Sequence, residues 1–346
     1  MEKDEKGYPL DLWQEMAGLG WLGLIIPIEY GGSGASFLDQ AVLLEEMGRA
    51  CLPGPYFSTV ILGGLSILEA GSEKQKRELL PAIAQGKTII TLALTEPSAR
   101  YDAASIKVSA VNDGSDFIIN GSKLFVPDAH VADYIICVAQ TKNGMPKEEG
   151  LSLFLVEAKS PGISISLLPT MASDKQCEIV FDGVRVPARN LLGELHHGWP
   201  VTEQILQKAI VAKCAEMVGG AQQVLEMTVN YAKERVQFNR PIGSFQAIQY
   251  ACANMAIDVD GCRFVTYQAA WMLSCGLPCT KEVAIAKSWV SEAYRRVTAT
   301  GLQIHGAIGF TKDHDMQLYY RRAKAAEVLF GDATFQREKI AKELEL

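Results

Sequence analysis

Apolar positions along this chain follow a helical spacing, switch to a strand-like texture, and then return to the helical spacing. Through residue 86, apolar residues recur every three to four positions between polar ones, as an amphipathic helix requires. Asp11 to Gly20 carries this period and closes on a glycine, and residues 38–50 and 73–85 repeat it. Pro27 and the run Gly31-Gly32-Ser33-Gly34 break the pattern into a loop. From 87 to 195 the texture turns to short runs rich in β-branched residues: 88–94, 117–121, 134–140, 151–158 and 162–169. Turn residues such as Asn112-Asp113-Gly114 separate them, and no helical segment intervenes. Such runs predict an antiparallel barrel or sandwich. After Gly198-Trp199-Pro200 the helical period resumes to the end. Residues 203–235 predict a helix of about nine turns and about 50 Å. Further helices are expected at 245–275 and 280–302, with one or two more over 315–345. Long helices joined by short loops predict a four-helix bundle. The fold class expected is therefore α+β and multidomain, with a helical domain at 1–86, a β domain at 87–195 and a helical bundle at 196–346.

Composition changes this picture little. The chain has 346 residues, 48% of them apolar, and its net charge of −7 argues against a nucleic-acid partner. The densest basic patch, Arg321, Arg322 and Lys324, is short. No apolar window approaches the roughly 20 residues that cross a bilayer, and the charged first residues lack the apolar stretch of a signal peptide. Eight cysteines are spread through mostly apolar segments, which predicts buried free thiols in a reducing compartment, the cytoplasm. Cys275 and Cys279 have no second Cys or His pair at matching spacing to complete a metal site.

Local motifs carry more. Glu234-Arg-Val-Gln-Phe-Asn-Arg-Pro-Ile-Gly-Ser-Phe-Gln-Ala-Ile-Gln249 ends one long helix and opens the next. An arginine at such a junction suits a pyrophosphate, and it serves equally to brace a helix bundle. The segment resembles the acyl-CoA dehydrogenase signature E-R-x-Q-F-G-x-P-I followed by F-Q-A-I-Q. Gln303-Ile-His-Gly-Ala-Ile-Gly-Phe310 resembles the same family's Q-x-x-G-G-x-G-[YF] loop. Leu94-Thr95-Glu96-Pro97, Ile119-Asn120-Gly121-Ser122-Lys123 and Val184-Arg185-Val186-Pro187 resemble its β-domain motifs. The resemblance spans nearly the whole chain. It implies an FAD-dependent enzyme that removes two hydrogens from an acyl-CoA thioester. Arg235 would contact the FAD diphosphate, with Gln237 and Phe238 beside it. Gln303, Gly306 and Ala307 would approach the adenosine end, Ala307 replacing a usual glycine. Leu94, Thr95 and Phe125 would line the flavin.

Departures from the family pattern concentrate on the chemistry. The family's base lies in I-Y-E-G-T-S-Q-I-Q-R, and the matching stretch is Val328-Leu-Phe-Gly-Asp-Ala-Thr-Phe-Gln-Arg337. Phe330 occupies the glutamate's place and accepts no proton. The position some relatives use on the long helix holds Ala209. Asp332 and Glu327 are the nearby carboxylates. An N-cap for Asp332 and a solvent-facing charge for Glu327 are the simpler expectations. Phe125 replaces a usual tryptophan and Pro127 a flavin-contacting threonine. Arg100-Tyr101 replaces a Gly-Ser, and Ile210 replaces an arginine near the acyl-CoA channel. In the family the Arg235 and Gln303 elements hold a neighbouring subunit's FAD, and these are mostly kept, while the elements of the chain's own site are degraded. The resemblance is therefore to heteromeric members, such as those acting on steroid side chains, in which an unlike subunit supplies the base. A homo-oligomer using Asp332 or Glu327, and a non-catalytic scaffold, are the alternatives. An electron-transfer flavoprotein is the electron acceptor that the resemblance implies.

Overall fold

The computed structural model describes residues 4–142 and 147–346. The chain forms two compact units. Residues 1–35 and 53–209 make the first; residues 36–52 and 210–346 make the second.

In the first unit, α1 (Leu10–Gly18) buries Trp13 and Met16, and the Trp13 indole N–H donates to Gly86 O at 2.9 Å. The last N-terminal helix, α4 (Glu73–Ala84), starts with a capping box. The Ser72 hydroxyl accepts from Gln75 N, and the Gln75 side chain accepts from Ser72 N. The helical stretch over residues 57–70 has no counterpart in the sequence expectations. Its first part, Phe57–Gly64, is π-helical and its second, α3 (Leu65–Ala70), is α-helical. Residues 58–67 are all buried, so the stretch has no polar face and hence no amphipathic period to betray it.

The β domain holds strands β1 (Ile90–Ala93), β2 (Ser109–Asn112), β3 (Asp116–Pro127), β4 (Tyr134–Gln140), β5 (Leu151–Glu157), β6 (Ile163–Leu168), β7 (Gln176–Pro187) and β8 (Leu191–Leu192). Their order is β6-β7-β3-β2-β4-β5-β8, with β1 also on β4. Most pairings are antiparallel, as the punctuating turns predict. However, β1 and β2 both run parallel to β4, so the sheet is mixed. The chain from β1 to β2 makes a long excursion rather than a hairpin, so no tight turn forces reversal. Phe117, Phe154, Ile179 and Val184 lie in the core this sheet encloses.

One buried ion pair fixes the end of β1. Lys123 Nζ lies 2.8 Å from Glu96 Oε1, with side-chain exposures of 0% and 4%. Glu96 also accepts from Lys107 N at 2.8 Å and Val108 N at 3.0 Å, and Lys123 donates to Leu94 O at 3.1 Å. Both charges are therefore compensated by several bonds, the condition under which a buried pair is tolerated.

In the second unit, α2 (Phe37–Arg49) packs with the bundle rather than with the other N-terminal helices. Arg49 pairs with Glu226, and Glu45 takes Arg263 at 3.0 Å and the Tyr267 hydroxyl at 2.8 Å. A Cβ on Gly219 would meet Glu45 O at 1.7 Å, so only glycine permits this approach of backbones. The bundle itself comprises α5 (Gly198–Glu234), α6 (Gln246–Ser274), α7 (Thr280–His305), α8 (Met316–Val328) and α9 (Ala333–Glu343). At 37 residues, α5 begins in the first unit and continues into the second.

A second buried cation holds the end of this bundle. Lys287 on α7 is fully buried, and its Nζ donates to Ser291 Oγ at 2.9 Å, Ala326 O at 2.7 Å and Glu327 O at 2.9 Å. It therefore caps the carbonyls that α8 leaves open at its C-terminus.

These two anchors yield two expectations. Lys123→Met leaves Glu96 charged and unpaired, which costs about 3–5 kcal/mol. Adding Glu96→Gln recovers part of that loss, and denaturant unfolding of the single and double variants measures the coupling. Burial lowers the Lys287 pKa from 10.5 to about 8. Between those values the unfolded chain holds a proton that the folded chain has shed, so stability rises with pH. Lys287→Met removes that rise and costs about 2–4 kcal/mol in uncapped carbonyls. Thermal unfolding of both proteins across this window should show the stability gap widening as pH increases.

Candidate functional site

The residues marked by the sequence fall into two groups, one in each unit. In the first unit, Leu94 and Thr95 are buried just beyond β1. Thr95 O accepts from Leu124 N at 2.8 Å, which ties this end to β3. The β3–β7 register shifts between Lys123 and Val126, and Phe125 sits inside that bulge with φ of 53°. A bulge re-aims a side chain, and here it leaves Phe125 47% exposed on the surface. Pro127 contributes only its carbonyl, which accepts from Thr91 Oγ1 at 2.6 Å. Asp128, also left-handed at φ 54°, accepts from Ser58 Oγ at 2.6 Å. The wall from Thr95 to Asp128 is thus pinned at several points. Glu96, the carboxylate within it, has its oxygens committed to Lys107 N, Val108 N and Lys123.

In the second unit, the segment after α5 is a tight hairpin pairing Val236–Gln237 with Arg240–Pro241. Phe238 and Asn239, at φ 52° and 63°, form its two-residue tip, as a type I′ turn requires. Arg235, Gln237 and Phe238 are all exposed, Phe238 at 87%. The Phe238 ring meets Phe245 edge-on at 6.1 Å, and the Arg240 guanidinium lies over Phe245 at 4.1 Å. Gln303, Gly306 and Ala307 stand at the end of α7. Gly306 has φ of 64°, and a Cβ there would meet nothing within 4 Å. Glycine is needed for the turn, and the space beside it is open to a ligand. Ala307 has no positive φ, which explains why alanine serves there. Tyr231, one turn before Arg235, stacks on His305 at 4.5 Å. His305 also hydrogen-bonds Gly301 O through Nδ1 at 2.8 Å, and burial lowers its pKa and favours the neutral ring. This stack joins the hairpin motif to the α7 motif. An exposed guanidinium, an amide, an aromatic ring and an open glycine backbone are the donor set a dinucleotide takes. The residues present therefore fit FAD.

The turn between α8 and α9 is the site's departure. Phe330 is buried and left-handed at φ 60°, followed by Gly331 at φ 91°. A bulky residue in that region is a backbone outlier that its surroundings must enforce. Gln336, fully buried, donates to Phe330 O at 2.8 Å, and Lys287 holds the carbonyls of Ala326 and Glu327 just ahead. Asp332 caps α9: its Oδ1 accepts from Phe335 N at 2.9 Å. Glu327 pairs with Lys324 at 2.9 Å and Arg295 at 3.7 Å. Each nearby carboxylate thus has a structural partner. Ala209 is buried and apolar, as is Ile210. Among the described residues, no group of three or more His, Cys, Asp or Glu is placed to hold a metal ion.

Sequence reasoning did not single out Lys287 or Gln336. A signal existed for Lys287: it is the lone cation among apolar neighbours in Val283-Ala-Ile-Ala-Lys-Ser-Trp-Val290. Gln336 lies within the stretch already aligned, but its hydrogen bond back to residue 330 is visible only in three dimensions.

Comparison with known proteins gives a consistent result. The models of the acyl-CoA dehydrogenase N-terminal, middle and C-terminal domains match residues 1–87, 91–184 and 196–345. The chain is 36% identical to the probable acyl-CoA dehydrogenase YngJ of Bacillus subtilis, over 99% of this chain and 91% of that one. Its structure resembles butyryl-CoA dehydrogenase of Megasphaera elsdenii with a TM-score of 0.93 at 29% identity, over 99% and 91% of the two chains. It resembles one chain of the ChsE4-ChsE5 complex of Mycobacterium tuberculosis with a TM-score of 0.91 at 30% identity, over 99% and 90% of the two chains. No helix of the described residues is long and apolar enough to cross a membrane. With helical, β and helical regions in the family's order and a donor set suited to its flavin, this chain belongs to the FAD-dependent acyl-CoA dehydrogenase family of oxidoreductases.

Proposed function

We propose that this chain is one subunit of a two-subunit acyl-CoA dehydrogenase, in which a homologous partner supplies the catalytic base. The observation that carries the reading is Phe330, held in a buried left-handed turn where a proton acceptor is expected. α,β-Dehydrogenation needs a carboxylate against the acidic α carbon. FAD, when bound, supplies the acceptor for the β hydrogen as hydride. This chain's own residues bind and orient. Arg235, Gln237 and Phe238 hold the diphosphate end, and Gln303 and Gly306 approach the adenosine, of a neighbouring subunit's FAD. Leu94, Thr95 and Phe125 face the flavin ring of the chain's own site. The ChsE4-ChsE5 structure is that of a complex of two named chains, which supports the same organisation here.

A self-sufficient enzyme is disfavoured by the carboxylates' commitments. Using Asp332 would uncap α9, and using Glu327 would break its ties to Lys324 and Arg295. A non-catalytic scaffold gives no reason to keep an exposed Arg235, Gln237 and Phe238 beside an open Gly306. The electron acceptor is an electron-transfer flavoprotein.

Assay of acyl-CoA oxidation with an artificial acceptor tests the proposal. The chain alone should turn over at least about 10²-fold more slowly than the chain co-expressed with its partner, the contribution of one positioned base. Asp332→Asn and Glu327→Gln should leave the rate of the assembled enzyme within about twofold. Full turnover by the isolated chain, lost in either variant, would refute it.

A further inference from the structure

Three aromatic rings join the two motifs proposed to hold the cofactor, and the middle ring is a histidine. Tyr231 lies on α5 one turn before Arg235, His305 on α7 two residues after Gln303, and His314 in the loop ahead of α8. Tyr231 stacks on His305 with centroids 4.5 Å apart and planes at 22°. His314 meets His305 edge-on at 5.0 Å. The ring between them is 4% exposed. A carbonyl only accepts, so His305 Nδ1 carries the proton that reaches Gly301 O at 2.8 Å. In the neutral ring Nε2 is then a bare lone pair, and it has no hydrogen-bond partner among the described residues. The turn Gly306–Phe310 rests on the same side chain, since a Cβ on Gly309 would lie 3.1 Å from His305 Cβ.

A second proton on this ring creates a buried N–H without an acceptor. Stacking on the Tyr231 phenol favours a cation, but burial opposes it more strongly, and His314 adds like-charge repulsion. Burial and His314 together lower the His305 pKa from 6.5. Among the described residues, Tyr231 from α5 and His314 from the loop before α8 are the titratable groups whose rings meet it. Lys312, Asp313 and Asp315 flank His314 along the chain, and Arg235 follows Tyr231 by one turn. A protonated ring is relieved only by leaving its slot for water. That movement unties the end of α7 from the end of α5 and disturbs the turn that begins at Gly306.

We infer that His305 is a positioning residue for the cofactor: its neutral ring locks the 303–307 segment to the Arg235 hairpin, and its protonation loosens the hold on FAD. The inference rests on the proposed role of these two motifs in holding a neighbouring subunit's FAD. Because FAD selects the locked, neutral form, its binding displaces any proton on His305. Affinity is therefore full above the His305 pKa and falls below it, by about tenfold per pH unit in the limit of one proton. Arg235 and a diphosphate both keep their charges between about pH 5 and 8, so their attraction alone gives no such profile.

Flavin fluorescence of the partner-assembled enzyme, stripped of FAD and titrated with it between about pH 8 and 5, reads the affinity directly. The dissociation constant should rise at least about threefold over this range, with far-ultraviolet circular dichroism unchanged. His305→Phe keeps a ring in the slot and takes no proton, so it should flatten the profile. His305→Gln serves the same purpose should phenylalanine disturb folding. His314→Asn keeps an acceptor for Met316 N, bonded to His314 Nδ1 at 3.1 Å, and removes the opposing charge. It should move the onset of weakening to higher pH. The same slope in wild type and in His305→Phe would overturn the inference while leaving the flavin reading intact, as would a wild-type affinity independent of pH. No FAD uptake at any pH would overturn both.

Discussion

A buried ammonium closes the C-terminal end of α8, and the turn that follows inherits its place from that contact. Lys287 reaches from α7 to the carbonyls of Ala326 and Glu327. From the other side, Gln336 on α9 holds the carbonyl of Phe330. Between these two anchors the backbone has little freedom, and a phenylalanine is kept in a left-handed conformation that its side chain disfavours. The cost of burying Lys287 is offset by three hydrogen bonds, which is why the lysine persists at a position where an apolar residue would otherwise pack. The same two anchors restrict the neighbouring carboxylates. Asp332 must cap the helix that begins immediately after the turn, and Glu327 lies in the last turn of the helix before it. Backbone geometry, rather than side-chain chemistry, is what this end of the bundle preserves.

The β domain follows the same logic by other means. Glu96 and Lys123 form a closed network that fixes where β1 ends relative to β3. The bulge at Phe125 then turns an aromatic ring outward from the β3–β7 pair, whose register also shifts between Ile119 and Gly121. A carboxylate is present in this wall, but both of its oxygens are already engaged. The wall is suited to holding a planar group in place and not to moving protons. The nucleotide end that we propose this chain holds would meet a different feature, the type I′ hairpin that exposes Phe238 and sets Arg235 and Gln237 beside it.

Much of this was legible in the sequence because amphipathic helices and alternating strands announce themselves. The long helices α5, α6 and α7 lie within a few residues of their expected bounds, and β4 coincides with its run. The stretch over residues 57–70 was not legible, because a helix buried on every side shows no period. The parallel placement of β1 and β2 on β4 was not legible either, because strand direction across a long connection is set by packing and not by local residues. For the site, the motifs around Arg235 and Gln303 could be found by resemblance. Their union through the Tyr231–His305 stack depends on tertiary structure. Asp332 could be guessed as a cap, but Glu327, expected to face solvent, is only 14% exposed and is paired with Lys324 and Arg295, which no local pattern shows. Lys287 stood out as a lone cation among apolar residues, but that pattern gives no hint of the carbonyls it serves.

The account depends on this chain lacking a group that can take the α proton of an acyl-CoA. Exchange of that hydrogen with deuterated water measures the proton step alone, without hydride transfer or an electron acceptor. With the isolated, FAD-loaded chain and a saturated acyl-CoA, exchange should proceed at the rate seen without protein, and Phe330→Glu, placed in the same anchored turn, should accelerate it by orders of magnitude. Rapid exchange catalysed by the unaltered chain on its own would contradict the account.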